Sequence, residues 1–193
     1  MPLSPPVTRE PIQTRSMECA CFRRTDGLWD VEGHLTDVAA YDFPNYYRGI
    51  IHAGEPIHDM WIRLTLDENV EIRAVEVRMD GVPYGGCPGI EPAFQKLKGL
   101  RIGPGWNRRV RDLLGGAKGC IHVVDLLKPV ATVGFKTVKR EAAKRDRPPA
   151  ERTDDSPYQI NSCHMLASDG PLVRERWPDR YTGPDRAGPA AAG

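Results

Sequence analysis

An α+β fold, with an antiparallel sheet of two hairpins covered by C-terminal helices, is predicted by three features of the sequence. Apolar and polar residues alternate through residues 57–66, where Met60, Ile62, Leu64 and Leu66 share one side. Two turn signals, Asp26-Gly27 and Asp67-Glu68-Asn69, each join a pair of strand-like runs. The helical patterns all come later, and strands followed by helices read as α+β.

The first hairpin is expected over residues 17–24 and 28–36, with Trp29, Val31 and Leu35 on one face. The second is expected over 57–66 and 70–79, with His58 on the apolar side and Asp59 on the other unless a bulge re-aims it. A short helix over 91–98 has Pro92 in its first turn and stops at Gly99. A second, over 106–114, stops at Gly115-Gly116. The long one runs from about Cys120 to Ala143 on a stripe of Val123, Leu126, Leu127, Val130, Val133 and Val138, and Pro129 is expected to kink or split it.

Proline marks the edges. Residues 1–16 and 144–193 hold 11 of the 18 prolines. The expected organisation is a leader at 1–16, one α+β domain at 17–143 and a charged linker at 144–156. A returning segment follows at 157–182, then a disordered tail at 183–193. Lys and Arg total 27 against 26 Asp and Glu, a balance with no basic face to suggest nucleic acid. No apolar run has the length of a membrane span, and residues 1–11 lack the apolar stretch of a signal peptide. A cytoplasmic protein is therefore expected. The five cysteines cannot all pair within one chain, which favours reduced thiols or metal ligands.

Chemistry-bearing residues gather where elements begin. His58 and Asp59 open a strand. Cys87 lies in the turn Tyr84-Gly85-Gly86-Cys87, and Cys120 starts the long helix with His122 two residues on. Thiolate, imidazole and carboxylate together suit zinc or iron. No CxxC or HExxH spacing is present, and buried cysteines packing as small apolar residues would fit the same positions. A second constellation is the aromatic run YDFPNYY at 41–47, followed by Arg48. It could wall a pocket for a flat substrate, with Tyr47 and Arg48 offering a phenol and a cation, or simply pack a loop.

The order GEPIHD (54–59), hairpin, YGGC (84–87) and Gly119-Cys120 before the last helix resembles iron–sulfur cluster scaffold proteins. The resemblance covers about residues 54–143 and implies a similar fold. It also implies a metal set drawn from His58, Asp59, Cys87, Cys120 and His122, with His58 standing where the scaffolds have their first cysteine. The chain also resembles, over nearly its whole length, a bacterial family known only as a domain of unknown function. The matching segments are HLTD, GEPIHDMW, RIGPGW and GCxH.

Two functions fit these residues. The first is an enzyme acting on a small aromatic molecule, with a metal- or acid/base-assisted lyase step that releases a small aldehyde by retro-aldol cleavage. Hydrolysis by a metal-bound water uses the same parts. His58, Asp59, Tyr47 and Arg48 are the expected catalytic residues, zinc or iron the expected ion, and no nucleotide motif is present. The second is an iron–sulfur or metal carrier. The expected partner is a small-molecule substrate rather than nucleic acid or membrane, and a homo-oligomer is compatible with either function.

Overall fold

The computed structural model describes residues 4–145 and 157–185 of the chain. Two compact units make it up, Met1–Lys139 and Arg140–Gly193. Most of the expected linker and tail, residues 146–156 and 186–193, lies outside the described residues.

The first unit is built on a four-stranded antiparallel sheet. Its strands are β1 (Gln13–Arg23), β2 (Trp29–Ala39), β5 (Pro56–Leu66) and β6 (Ile72–Gly81), in the spatial order β1-β2-β5-β6. Between β2 and β5 the chain makes a small separate hairpin, β3 (Phe43–Asn45) with β4 (Gly49–Ile51). Helices α1 (Trp106–Leu114) and α2 (Ile121–Arg145) follow the sheet in sequence. The fold is thus α+β, a sheet packed against C-terminal helices.

Several local expectations shift for identifiable reasons. The first strand starts four residues before the expected 17, because residues 13–16 continue the pairing with the end of β2. The turn after β5 runs on to Glu71. The Asp67 carboxylate accepts from the amides of Asn69 and Glu71, and Val70 adopts a left-handed φ of 59° with its side chain fully buried. The segment expected as a helix over 91–98 is a 3-10 stretch, Cys87–Leu97. Pro92 removes a donor there. Two of its side chains serve the edge of β6 instead: Glu91 Oε1 accepts from the Met79 amide at 2.9 Å, and Gln95 Nε2 donates to the Val75 carbonyl at 2.8 Å. Such side-chain bonds satisfy an edge that would otherwise be open to pairing.

Helix α2 continues through Pro129 without a break. Leu126, Leu127, Val130 and Ala131, on either side of the proline, are all buried, so packing holds the helix where propensity disfavours it. Two glycines bring helix and sheet close. A Cβ on Gly33, in the middle of β2, would lie 2.5 Å from Val130 Cγ2. A Cβ on Gly134 would lie 2.9 Å from both Leu66 Cδ1 and Val31 Cγ2. Helix α2 therefore runs back along β2, with Val130 over Gly33 and Gly134 over Val31. Extrapolated towards its start, this places its first turn over the last residues of β2. Gly33→Ala is expected to destabilise the protein by about 1–3 kcal/mol through overpacking. Val130→Ala in the same chain should recover part of the loss, which urea denaturation of the two single variants and the double variant would measure.

The second unit contains a short helix, α3 (Pro171–Arg176), and brief 3-10 turns. Within it Tyr181 is buried and donates its hydroxyl to Asp185 at 2.6 Å. None of the described helices is long and apolar enough to cross a membrane.

Candidate metal centre

Strand parity builds the site. On β2 the buried positions are Trp29, Val31, Gly33, Leu35, Asp37 and Ala39, a strict alternation that puts one carboxylate in an apolar row. Asp37 is only 1% exposed. In the antiparallel register it lies opposite Arg15 of β1 on one side and His58 of β5 on the other. Residues directly opposite point to the same face, so Arg15, Asp37 and His58 form a polar ladder at one end of the core. Helix α2 starts above this ladder and adds His122 from its first turn and Asp125 from the next.

Arg15 grips the carboxylate as a fork, with Nε 2.7 Å from Asp37 Oδ1 and Nη2 2.8 Å from Oδ2. Its remaining nitrogen, Nη1, donates to Asp125 Oδ2 at 2.9 Å and ties β1 to α2. His58 Nδ1 lies 3.0 Å from Asp37 Oδ2. His122 Nε2 lies 3.7 Å from the same oxygen. The two imidazoles stack, with centroids 3.6 Å apart and planes inclined by 28°. Cys120 Sγ lies 3.7 Å from the other ring nitrogen of His122, Nδ1.

Burial is the largest influence on Asp37 and pushes its carboxyl up. The hydrogen bonds and charge of Arg15, helped by His58, outweigh it and hold the group below its ordinary 3.8. Burial, then the charge of His122, pushes His58 below its ordinary 6.5 in spite of Asp37. Burial, then Arg15, lowers His122 as well. The site therefore pairs an ionised carboxylate with two imidazoles biased to the neutral form, the protonation states that metal ligands need.

Both histidines titrate lower in the folded chain than in the unfolded one, so on acidification the unfolded chain takes up protons first. Their contribution to stability is fully present above about pH 6.5 and lost as the pH falls through their folded values. The contribution of Asp37 has the same sign, present above 3.8 and lost below it. Exposed His52, raised by Asp42, acts in the opposite sense. The ion-free protein should thus lose stability between pH 7.5 and 5.5. The His58→Asn, His122→Asn double variant should show a flatter profile in the same urea titrations.

Asp37, His58 and His122 offer ligand atoms that all lie within 4.8 Å of one another, so the group could hold a metal ion. Two bonds of ~2.1 Å at a tetrahedral angle span about 3.4 Å. The 3.0 and 3.7 Å separations from Asp37 Oδ2 to the two imidazoles bracket that value. Arg15 and Cys120 then occupy the outer positions from which hydrogen bonds orient metal ligands.

Of the expected ligands, the structure brings His58 and His122 together, with Cys120 at the edge. Asp59 lies on the opposite face of the sheet. Its Oδ1 is 2.7 Å from His34 Nε2, and His34 stacks on Trp61 at 3.7 Å. The register slip next to Asp59 does not re-aim it towards the core. Cys87 opens the 3-10 stretch, partly buried against the core, and is outside the three-residue group. Tyr47 packs on the turn after β6, where a Cβ on Gly85 would lie 2.6 Å from its ring. Arg48 is committed to Glu55 and to the Pro56 carbonyl, so it braces the β3–β4 loop. Asp37, Arg15 and Asp125 were not among the expected site residues. For Asp37 the signal was present, because it continues the parity of Trp29, Val31 and Leu35 one step past the expected strand end.

No curated protein and no solved structure matches the chain, iron–sulfur scaffolds included. One family does match, DUF2889, described as a protein of unknown function, over residues 13–136. That span takes in the whole sheet, α1 and most of α2, with every member of the polar group, and the chain belongs to the DUF2889 family.

Proposed function

We propose that this protein is a metal-dependent lyase, with a zinc or iron ion held by Asp37, His58 and His122. The observation that carries the reading is the convergence of one buried carboxylate and two neutral-biased imidazoles at a sheet end. Three protein ligands leave coordination positions for a substrate oxygen. When bound, the ion supplies Lewis-acid stabilisation of a developing oxyanion.

The proposed reaction is a retro-aldol cleavage. A hydroxyl proton is removed, the neighbouring carbon–carbon bond breaks to release a small aldehyde, and the carbon left behind takes a proton. The balance is redox-neutral and needs no organic cofactor. Arg15 keeps Asp37 ionised, and the neutral imidazoles are suited to ligation or to carrying the proton. The aromatic loop supports an aromatic substrate. The connection from β2 to β5 leaves from the sheet end that holds Asp37 and His58, and it exposes Tyr41, Tyr46 and Tyr47. A carrier of labile clusters would need a thiolate set, and the group contains no cysteine.

The test is elemental analysis of untagged protein, followed by aldehyde trapping with aryl substrates that carry a hydroxylated side chain. Stoichiometric zinc or iron and an aldehyde released in step with substrate loss are expected. Turnover that is unchanged in rigorously metal-stripped protein would contradict the metal role. Metal-loaded protein that releases no aldehyde from the series would contradict the lyase reaction.

A further inference from the structure

We infer that Cys120 is the positioning residue of His122: its sulfur accepts the Nδ1 proton and so turns the Nε2 lone pair towards Asp37. The inference rests on the metal reading for its purpose, though its geometry stands without the ion.

A neutral imidazole carries one N–H and one lone pair, and the partner of one nitrogen decides the role of the other. At His122, Nδ1 faces Cys120 Sγ at 3.7 Å, within hydrogen-bonding range for sulfur. Nε2 faces Asp37 Oδ2 at 3.7 Å, well beyond the 2.7–3.2 Å of an N–H···O bond. With the ring proton on Nδ1, where Cys120 Sγ can accept it, the nitrogen left to ligate an ion shared with Asp37 and His58 is Nε2. A lone pair there points into the space between Asp37 and His58, where an ion would sit. Stacking on His58 at 3.6 Å restrains the ring from turning over.

Local backbone geometry makes Cys120 available for this. It directly precedes α2, and its carbonyl accepts the first helical bond from Val124 N at 2.9 Å. A residue in that position carries a side chain that reaches forward over the first turn. Here the atom reached is a side-chain nitrogen two residues on. Gly119 lets the chain approach α1 closely, since a Cβ there would lie 2.4 Å from the Leu114 carbonyl oxygen. Sulfur is also a weak acceptor. It can fix the tautomer without the strong pull that a carboxylate in the same place would exert on the ring.

The experiment uses the full chain and two variants, Cys120→Ser, which keeps an acceptor, and Cys120→Ala, which removes it. Nitrogen-15 NMR of the ion-free protein reads the His122 tautomer directly. The Nδ1-protonated form is expected in the wild type and in Cys120→Ser, and a shift towards the Nε2-protonated form in Cys120→Ala. Cobalt(II) titration supplies the second readout. Cys120→Ala should bind cobalt about 10–100-fold more weakly, the usual cost of losing an outer-shell partner, and Cys120→Ser within about 3-fold of wild type. No sulfur-to-cobalt charge-transfer band should appear. Such a band, or an unchanged tautomer in Cys120→Ala, would overturn the inference. If the wild type binds no cobalt while the tautomer follows Cys120 as described, the inference stands and the metal reading falls.

Discussion

Replacing Asp37 by alanine is expected to lower stability by about 2–3 kcal/mol and to abolish metal binding. Removing one partner from a buried ion pair typically costs about 3–5 kcal/mol, because the other charge is left uncompensated. The estimate is reduced here because the Arg15 side chain is 37% exposed, so water can solvate the stranded guanidinium. Arg15 also keeps its contact with Asp125. Urea denaturation at pH 7.5 measures the loss as a lower midpoint with an unchanged slope. Asp37→Asn keeps the shape but not the charge, and should fall between wild type and Asp37→Ala in stability while still failing to bind metal. A stability loss below about 0.5 kcal/mol for Asp37→Ala would mean that the ladder from Arg15 to His58 does not form as described.

His58→Ala and His122→Ala should each weaken zinc binding by at least about 100-fold, since either change leaves two protein ligands for an ion that needs three or four. Their side chains are 15% and 18% exposed, so the accompanying loss of stability should be smaller than for Asp37. The control is built into the same sheet. His34 is also paired with a carboxylate, Asp59, but on the face away from α2. His34→Ala and Asp59→Asn should leave zinc affinity within about 3-fold of wild type in calorimetric titration. Equal losses at His34 and His58 would show that neither imidazole ligates and that zinc binding responds to general damage to the sheet.

The parts of this account that follow from side-chain period were legible in the sequence. Alternation in residues 57–66 placed His58 on the core side and Asp59 on the other, and both lie there. The central hairpin and the long final helix were also readable, because a stripe such as Val123, Leu126, Leu127 and Val130 has one helical reading. What the sequence hid was pairing. Nothing local to Asp37 says that β2 lies beside β5, or that the register sets it opposite His58, since that is decided by partners 21 residues apart. Arg15 was hidden for the same reason, 22 residues from Asp37 and in a stretch whose prolines suggested a leader. Motif order drew attention to Cys87 and Asp59, whereas the register brings together Asp37, His58 and His122. Pro129 was misleading in a different way, because propensity disfavours a helix there and burial on both sides overrides it.

The measurement that bears most directly on the central claim is anomalous diffraction at the zinc edge from crystals of the zinc-loaded protein. One strong peak is predicted, about 2.0–2.2 Å from an oxygen of Asp37 and from one ring nitrogen each of His58 and His122, with no sulfur bonded to it. A peak bonded to Cys87 or Cys120, or none near Asp37 at saturating zinc, would contradict the account.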